Sequence, residues 1–123
     1  MATSLHYFKP GQDITAVATA ALTGATFVKL ATGGVYNAPH IAAAGEDDIP
    51  FGVVARDAEN AERVLVHTGG VVPVTAGAAV TAGALIGVGA DGKAAVAADR
   101  ATAVGQALAD AAAGEPVSVL LSI

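Results

Sequence analysis

The glycines from Gly87 to Gly92 have a spacing that also occurs in phosphate-binding loops. They fit the pattern G-x-G-x-x-G, and Asp110 follows further along the chain. In a dinucleotide-binding fold such glycines open a helix whose N-terminus meets a pyrophosphate. Here Asp91-Gly92 is a hairpin signal, and the residues after it resume a strand pattern rather than a helix. The motif therefore predicts a turn, and nucleotide or DNA binding stays the alternative function.

The histidines and the carboxylates lack the spacing of a metal or catalytic site. His6, His40 and His67 are far apart in the sequence, without the pairing typical of metal ligands. The run Glu46-Asp47-Asp48 could bind a hard cation, but it lacks the EF-hand pattern, so a solvated loop is expected. The chain has no cysteine, which excludes disulfides, thiolate metal sites and a cysteine nucleophile. We therefore predict no catalytic residue, no metal and no cofactor.

The composition predicts a core of small aliphatic side chains. Hydrophobic residues make up 54% of the chain, aromatic residues 4% and charged residues 14%, where about 25% charged is typical of soluble domains. The formal net charge of −5 provides no basic surface for nucleic acid. Small side chains bury little apolar area each, so we expect the protein to gain stability from partners.

The elements that position these residues follow a period of two. Short runs rich in β-branched residues, separated by turn dipeptides such as Gly33-Gly34 and Gly69-Gly70, predict strands. The predicted strands cover 5–9, 13–17, 26–30, 51–55, 63–67, 71–74, 84–88, 95–96, 104–108 and 116–121. Pro73 inside a valine run predicts an edge or bulged strand. At most one or two short helices are expected, with candidates at 16–21, 57–61 and 99–101.

The same pattern occurs twice in the chain, at a constant offset. Glycine, aspartate, alanine, glutamate and two valines recur in the same order over residues 51–66 and 104–119. Two copies are too few for a solenoid, so the pattern predicts a closed barrel or a sandwich. We predict a single β domain that contains both copies of one supersecondary unit. The domain covers 13–123, the copies cover about 22–70 and 80–121, and residues 1–12 precede them.

Four residues of this pattern are predicted to structure turns. Asp57 and Asp110 follow strands, where an aspartate can accept hydrogen bonds from backbone N–H groups two residues further on. Gly52 and Gly105, at matching positions of the two copies, are assigned to the same role. The structural interpretation of these residues is favoured over a catalytic one.

Motifs along nearly the full chain resemble a family of small proteins of tailed bacteriophages. The opening run, residues 4–15, places a short aromatic and basic strand before a glycine and an alternating strand. The other matching motifs are FGVVARDA at 51–58, GVVPVTAGAAVTAG at 70–83, DGK at 91–93 and VGQALADAAAGEPVSVLL at 104–121. Their order resembles that of the capsid decoration, or head cement, proteins. The sequence departs from the family pattern at Asn60-Ala61-Glu62 and in a longer loop from His40 to Pro50.

The resemblance implies a fold, a role and partners. The fold is mainly β, a small antiparallel β-barrel or β-tulip-like sandwich. The role is structural and not enzymatic: a homotrimer on the outer surface of the head that stabilises the lattice of the major capsid protein, with many weak contacts adding up through multivalency. The protein is made in the host cytoplasm and ends in the virion, with no nucleic acid or membrane partner. The RecA-like recombinase label that such proteins often carry does not suit a chain without a phosphate loop or a basic groove.

The N-terminal segment is the candidate capsid-binding element. It has an alternating pattern, contains two aromatic residues and ends at Pro10-Gly11. Such a segment could add a strand to the sheet edge of a capsid subunit. The residues expected to carry this contact are Leu5, His6, Tyr7, Phe8, Lys9 and Pro10. The other interpretation, which the sequence leaves open, is that this segment is simply the first strand of the domain.

Overall fold

The computed structural model describes residues 13–35 and 38–122, and this part of the chain is built mainly of β-strands. The strands are β1 (Ile14–Ala18), β2 (Phe27–Val35), β3 (Ala38–Ala43), β4 (Gly52–Val54), β5 (Arg63–His67), β6 (Val71–Thr75), β7 (Leu85–Val88), β8 (Ala94–Val96), β9 (Gly105–Ala107) and β10 (Pro116–Leu121). The mainly-β prediction is confirmed. The described residues contain one helical element, a 3₁₀ turn at Ala90–Gly92. The helix candidates at 16–21, 57–61 and 99–101 were wrong, because strand pairing and turns override the helix propensity of alanine there.

The first five strands form a closed barrel in the order β1-β3-β2-β4-β5. β1 closes it by pairing antiparallel with β5 and parallel with β3, whereas the other pairs are antiparallel. Alternate residues point inward, as the period of two requires. The barrel core consists of Ala16, Ala18, Leu22, Val28, Ile41, Val54, Ala58, Val64 and Val66.

The other five strands form an antiparallel sheet in the order β6-β10-β9-β7-β8. Pro73 lies in β6, at the edge of this sheet, where a residue without an N–H group is tolerated. The two edge strands approach each other through a parallel bridge between Ala76 and Ala94. The Gly77 N–H donates to the Ala94 carbonyl at 2.8 Å across this seam. The second sheet is thus curled nearly into a barrel.

The two sheets repeat each other's contacts. β1 pairs with β5 as β6 pairs with β10, and β2 pairs with β4 as β7 pairs with β9. The bridge from Leu22 to Ala58 has its counterpart in the bridge from Val80 to Ala111. These matches support the predicted pair of similar units. They also reach upstream of the predicted ranges, to β1 in the first unit and β6 in the second.

Strand β3 corrects the loop predicted from His40 to Pro50. Its sequence, APHIAA, contains a single β-branched residue, so its intrinsic strand preference is weak. It forms a strand because it lies between β1 and β2, which supply its hydrogen-bonding partners. The turn predicted at Gly33-Gly34 is not found at these residues. Both glycines lie inside β2, where the register with β3 slips before Val35 and Gly33 has a φ of +93°.

The second sheet packs on the outside of the barrel. Phe27 and Val53 of the barrel are buried among the core residues of the second sheet. The Thr75 N–H in β6 donates to the Ala25 carbonyl at 2.8 Å. Gly92, with a φ of +73°, lies so close to Phe27 that an added Cβ would be 2.5 Å from its carbonyl oxygen. Gly92 lies in the turn between β7 and β8, and a glycine is therefore required where that turn meets the barrel.

Candidate interaction surfaces

The predicted arm residues, Leu5, His6, Tyr7, Phe8, Lys9 and Pro10, lie outside the described residues. The described chain starts at Asp13, whose Oδ1 is 3.1 Å from Nδ1 of His67 at the end of β5. Ile14 then pairs with Val66. The described chain therefore enters the barrel beside His67, and this histidine and Asp13 define the root of the N-terminal segment.

Asp57 and Asp110 join loops that are distant in the sequence. Oδ1 of Asp57 accepts a hydrogen bond from the Gly24 N–H at 2.7 Å, and Oδ1 of Asp110 accepts one from the Ala82 N–H at 2.7 Å. The sequence predicted partners two residues further on. The observed partners lie 33 and 28 residues away, because the paired strands bring the loop before β2 to the loop after β4, and likewise in the second sheet.

Gly52 and Gly105 open strands β4 and β9, and this placement corrects their assignment to turns. A Cβ on Gly52 would lie 2.5 Å from the His67 carbonyl oxygen. A Cβ on Gly105 would lie 2.6 Å from the Leu120 carbonyl oxygen. Glycine is needed here because the neighbouring strand approaches too closely for any side chain.

The G-x-G-x-x-G run forms the tip of the β7–β8 hairpin. The Gly89 N–H donates to the Lys93 carbonyl at 2.7 Å, and the Lys93 N–H donates to the Ala90 carbonyl at 3.2 Å. Asp91 and Gly92 take left-handed conformations, with φ of 59° and 73°, that reverse the chain. A dinucleotide site instead presents free amides at the start of a helix after a strand. The hairpin does not have that arrangement.

The acidic run at 46–48 lies in the loop between β3 and β4. Asp48 accepts a hydrogen bond from the Gly45 N–H at 2.7 Å, and its carboxylate is 3.2 Å from the Lys29 ammonium. The hydrogen bond from the Gly45 N–H, and to a lesser extent the nearby Lys29 ammonium, keeps the pKa of Asp48 below its ordinary value. The next residue, Ile49, is 87% exposed and borders a shallow depression that also includes Leu30. The loop thus presents an apolar side chain beside acidic ones.

Neither a metal site nor a membrane span is found in the described ranges, 13–35 and 38–122. No three of their histidine, aspartate and glutamate residues lie close enough together to hold a metal ion. Within the same ranges no helix is long and apolar enough to cross a bilayer.

The described surface carries several exposed large apolar side chains, which the sequence analysis did not single out. They are Leu30, Val35, Ile49, Leu65, Val71, Val96, Leu108 and Leu120. The sequence pattern could have indicated them, since these residues occupy the outward positions of alternating strands or lie in loops. Apolar side chains at such positions are available for contact with a protein partner.

Comparisons with known proteins match this chain to a family model and to solved structures. The family model described as phage cement protein matches residues 8–123. In the crystal structure of the head fiber gp8.5 N base in bacteriophage phi29, a chain with 25% sequence identity matches with a TM-score of 0.77. The alignment covers 89% of this chain and 92% of that chain. No curated protein matches.

Proposed function

Because this chain belongs to the phage cement protein family, and is thus a structural protein of the phage head, we propose that it binds the outer surface of the head as a homotrimer. Its partners are the major capsid protein and two further copies of itself. Bound trimers tie neighbouring capsid subunits together and strengthen the shell against the pressure of packaged DNA. The family match over residues 8–123 is the observation that carries this proposal.

The physical properties of the chain suit such a role. A decoration protein needs contact surface rather than chemistry, and the exposed apolar residues Ile49, Leu30 and Val35 supply surface that binding would bury. Each contact is weak by itself. Repetition over a closed shell turns weak contacts into tight overall attachment, because each trimer binds through several equivalent sites at once.

The N-terminal segment is proposed as the capsid-binding arm. Leu5, Tyr7 and Phe8 would supply apolar contacts, and Lys9 a positive charge, to a strand added at the edge of a capsid sheet. The short distance between Asp13 and His67 fixes where the described chain starts on the barrel. An arm that precedes Asp13 would therefore leave the barrel beside His67.

The proposal is tested by imaging heads with and without the protein. We expect three-fold density on the outside of decorated heads, and decorated heads that resist heat or chelator treatment better than bare ones. Density on the inner surface, or heads of unchanged resistance, would contradict the proposal. The alternative, nucleotide or DNA binding, is tested by titrating the purified protein with ATP, NAD and single-stranded DNA. We expect no saturable binding, because the Gly87–Gly92 run is a hairpin tip and not the start of a helix, and its Gly89 N–H already donates to the Lys93 carbonyl.

A further inference from the structure

The β3–β4 loop, residues 44–51, is fixed to β2 at both of its ends. The Ala44 N–H donates to the Phe27 carbonyl at 3.1 Å, and the Phe51 N–H donates to the Val28 carbonyl at 2.7 Å. Because Phe27 and Val28 are neighbours in β2, the loop leaves and rejoins the barrel at one place. The loop therefore projects from a defined base.

Asp48 orders the interior of the same loop. Its carboxylate accepts a hydrogen bond from the Gly45 N–H at 2.7 Å, and its own N–H donates to the Gly45 carbonyl at 3.2 Å. The Lys29 ammonium in β2 lies 3.2 Å from the same carboxylate oxygen. Pro50 adds a further restriction, since a residue before a proline is disfavoured in the helical region and takes extended conformations. The backbone of Ile49, between Asp48 and Pro50, is thus ordered before any partner binds.

The Ile49 side chain belongs to neither core of the described chain. It is 87% exposed, the highest value among the large apolar side chains of the described residues. Leu30, Pro50 and Phe51 border the same shallow depression and extend the apolar surface around it. A partner that covers an already ordered apolar side chain gains the burial of its area at little cost in ordering entropy.

The charges around Ile49 indicate the kind of partner that fits. Glu46 and Asp47 are exposed and form no ion pair within the described ranges, while Lys29 is already paired with Asp48. A surface that carries basic side chains around an apolar pocket is complementary to this arrangement. A second copy of the chain suits it less well, since each copy has a formal net charge of −5 and two copies repel each other.

The N-terminal segment joins the barrel at the same end as this loop. β5 is antiparallel to both β1 and β4, so β1 and β4 run in the same direction. The chain enters β1 after Asp13 and enters β4 after Phe51. Only β5 separates these two strands, so they lie about 10 Å apart. A single partner can therefore contact both the loop and the segment that precedes Asp13.

We propose that the β3–β4 loop docks Ile49 into an apolar pocket with a basic rim on the major capsid protein. The proposal rests on the capsid binding of the proposed function and specifies a second contact beside the N-terminal segment. Glu46 and Asp47 steer the loop toward the basic rim, and burial of the Ile49 side chain then holds the two proteins together.

The first test measures co-sedimentation of full-length variants with heads that lack the protein. We expect Ile49→Ser to weaken binding about tenfold or more, because it removes the side chain that the pocket buries. Leu108→Ser is the matched control and should bind as the wild type does. Leu108 is 50% exposed and follows β9, whose other end, at Val104, borders a depression together with Ile49. Both side chains are exposed, so neither serine should lower the unfolding midpoint.

The outcomes separate this contact from the proposed function. A folded Ile49→Ser that binds heads as tightly as the wild type overturns the docking of Ile49. An equal loss in Ile49→Ser and Leu108→Ser overturns it as well, because the effect would not depend on position. A wild-type protein that does not bind heads overturns the proposed function itself.

A second test concerns the basic rim of the pocket. Asp47→Lys and Glu59→Lys change the net charge by the same amount, but Asp47 lies beside Ile49, whereas Glu59 is an exposed residue beyond the other end of β4. At low salt we expect Asp47→Lys to weaken binding to heads several-fold more than Glu59→Lys does, and the difference should shrink as salt is added. Equal effects of the two variants would show that net charge alone acts, and would overturn the basic rim.

A photochemical cross-link identifies the partner. The chain has no cysteine, so Ile49→Cys and Leu108→Cys can each carry a benzophenone maleimide at a single site. On irradiation with heads, we expect the Ile49→Cys protein to become joined to the major capsid protein, and the Leu108→Cys protein to form much less of that product. A covalent dimer of the Ile49→Cys protein without a capsid product would make a second copy the occupant and overturn the capsid protein as the partner of this loop.

Discussion

The Asp57 carboxylate lies 2.7 Å from the amide nitrogen of Gly24 and so joins the loop before β2 to the loop after β4. Asp110 makes the same bond to Ala82 in the second sheet, also at 2.7 Å. Each bond lies next to an isolated bridge, the first from Leu22 to Ala58. The carboxylate thus adds a side-chain link between two loops that backbone hydrogen bonds, such as those between Leu22 and Ala58, also join.

Removing either carboxylate should lower stability. We expect Asp57→Ala and Asp110→Ala each to reduce the free energy of unfolding by about 1 kcal/mol, since the bond is charge-assisted but exposed to water. Asp47→Ala, which removes an exposed carboxylate from the β3–β4 loop, serves as the matched control. Urea unfolding followed by circular dichroism measures the effect. Equal midpoints for all three variants would show that these bonds do not contribute to stability.

The close approach at Gly52 and Gly105 predicts a larger effect. We expect Gly52→Ala and Gly105→Ala to lower the free energy of unfolding by about 1–3 kcal/mol, because the new methyl group meets a carbonyl oxygen of the adjacent strand. Gly69→Ala is the control, since a Cβ there meets nothing within 4 Å. Thermal unfolding compares the three. A loss at Gly69 as large as at Gly52 would contradict the packing argument.

The ion pair and amide bond at Asp48 predict a dependence of stability on pH. The Gly45 N–H and Lys29 lower the pKa of Asp48 from its ordinary value of 3.8, so the fold favours the charged carboxylate. The resulting stabilisation is present above that value and is lost as the pH falls through the lower pKa of the folded state. The wild type should therefore unfold at a higher temperature than Asp48→Asn at neutral pH, and the gap should close in acid.

The control for Asp48 is Asp47→Asn, which changes the neighbouring exposed carboxylate. We expect its unfolding temperature to follow that of the wild type across the same pH range. A gap between the wild type and Asp48→Asn that stays constant from neutral pH into acid would mean that charge at Asp48 is irrelevant to stability.

The proposed arm predicts a loss of binding to heads. Deleting residues 2–12 should weaken binding to expanded heads by about tenfold or more, because each backbone hydrogen bond of an added strand contributes about 1 kcal/mol. Co-sedimentation with heads measures the occupancy. The full-length double variant Tyr7→Ser, Phe8→Ser should show a smaller loss in the same direction.

Circular dichroism and thermal unfolding of the deletion variant provide its control. An unfolding midpoint equal to that of the wild type together with reduced occupancy supports the arm. If the deletion variant is folded and binds heads at wild-type occupancy, the arm proposal is wrong. A lower unfolding midpoint at wild-type occupancy supports the other interpretation, that the segment is the first strand of the domain.

The sequence predicted strands best where β-branched residues alternate. The runs around Val64 and Val117 match strands β5 and β10, because the residues that favour strands also form the two cores. It failed at β3, whose alanines, proline and histidine become a strand only through pairing with β1 and β2. It failed in a similar way at Asp57, since local turn chemistry does not reveal a partner that only tertiary structure brings near.

The hydrogen bond from Thr75 to Ala25 bears on the order in which the chain folds. The Ala25 carbonyl, just before β2, accepts this hydrogen bond at the edge of β6. The β7–β8 turn lies against the backbone of Phe27 in β2. The C-terminal half therefore cannot make these two contacts until β2 is in place, and β2 leaves the ribosome before the C-terminal half does. We expect the protein to unfold in a single cooperative transition and the C-terminal half to be unstable when expressed alone.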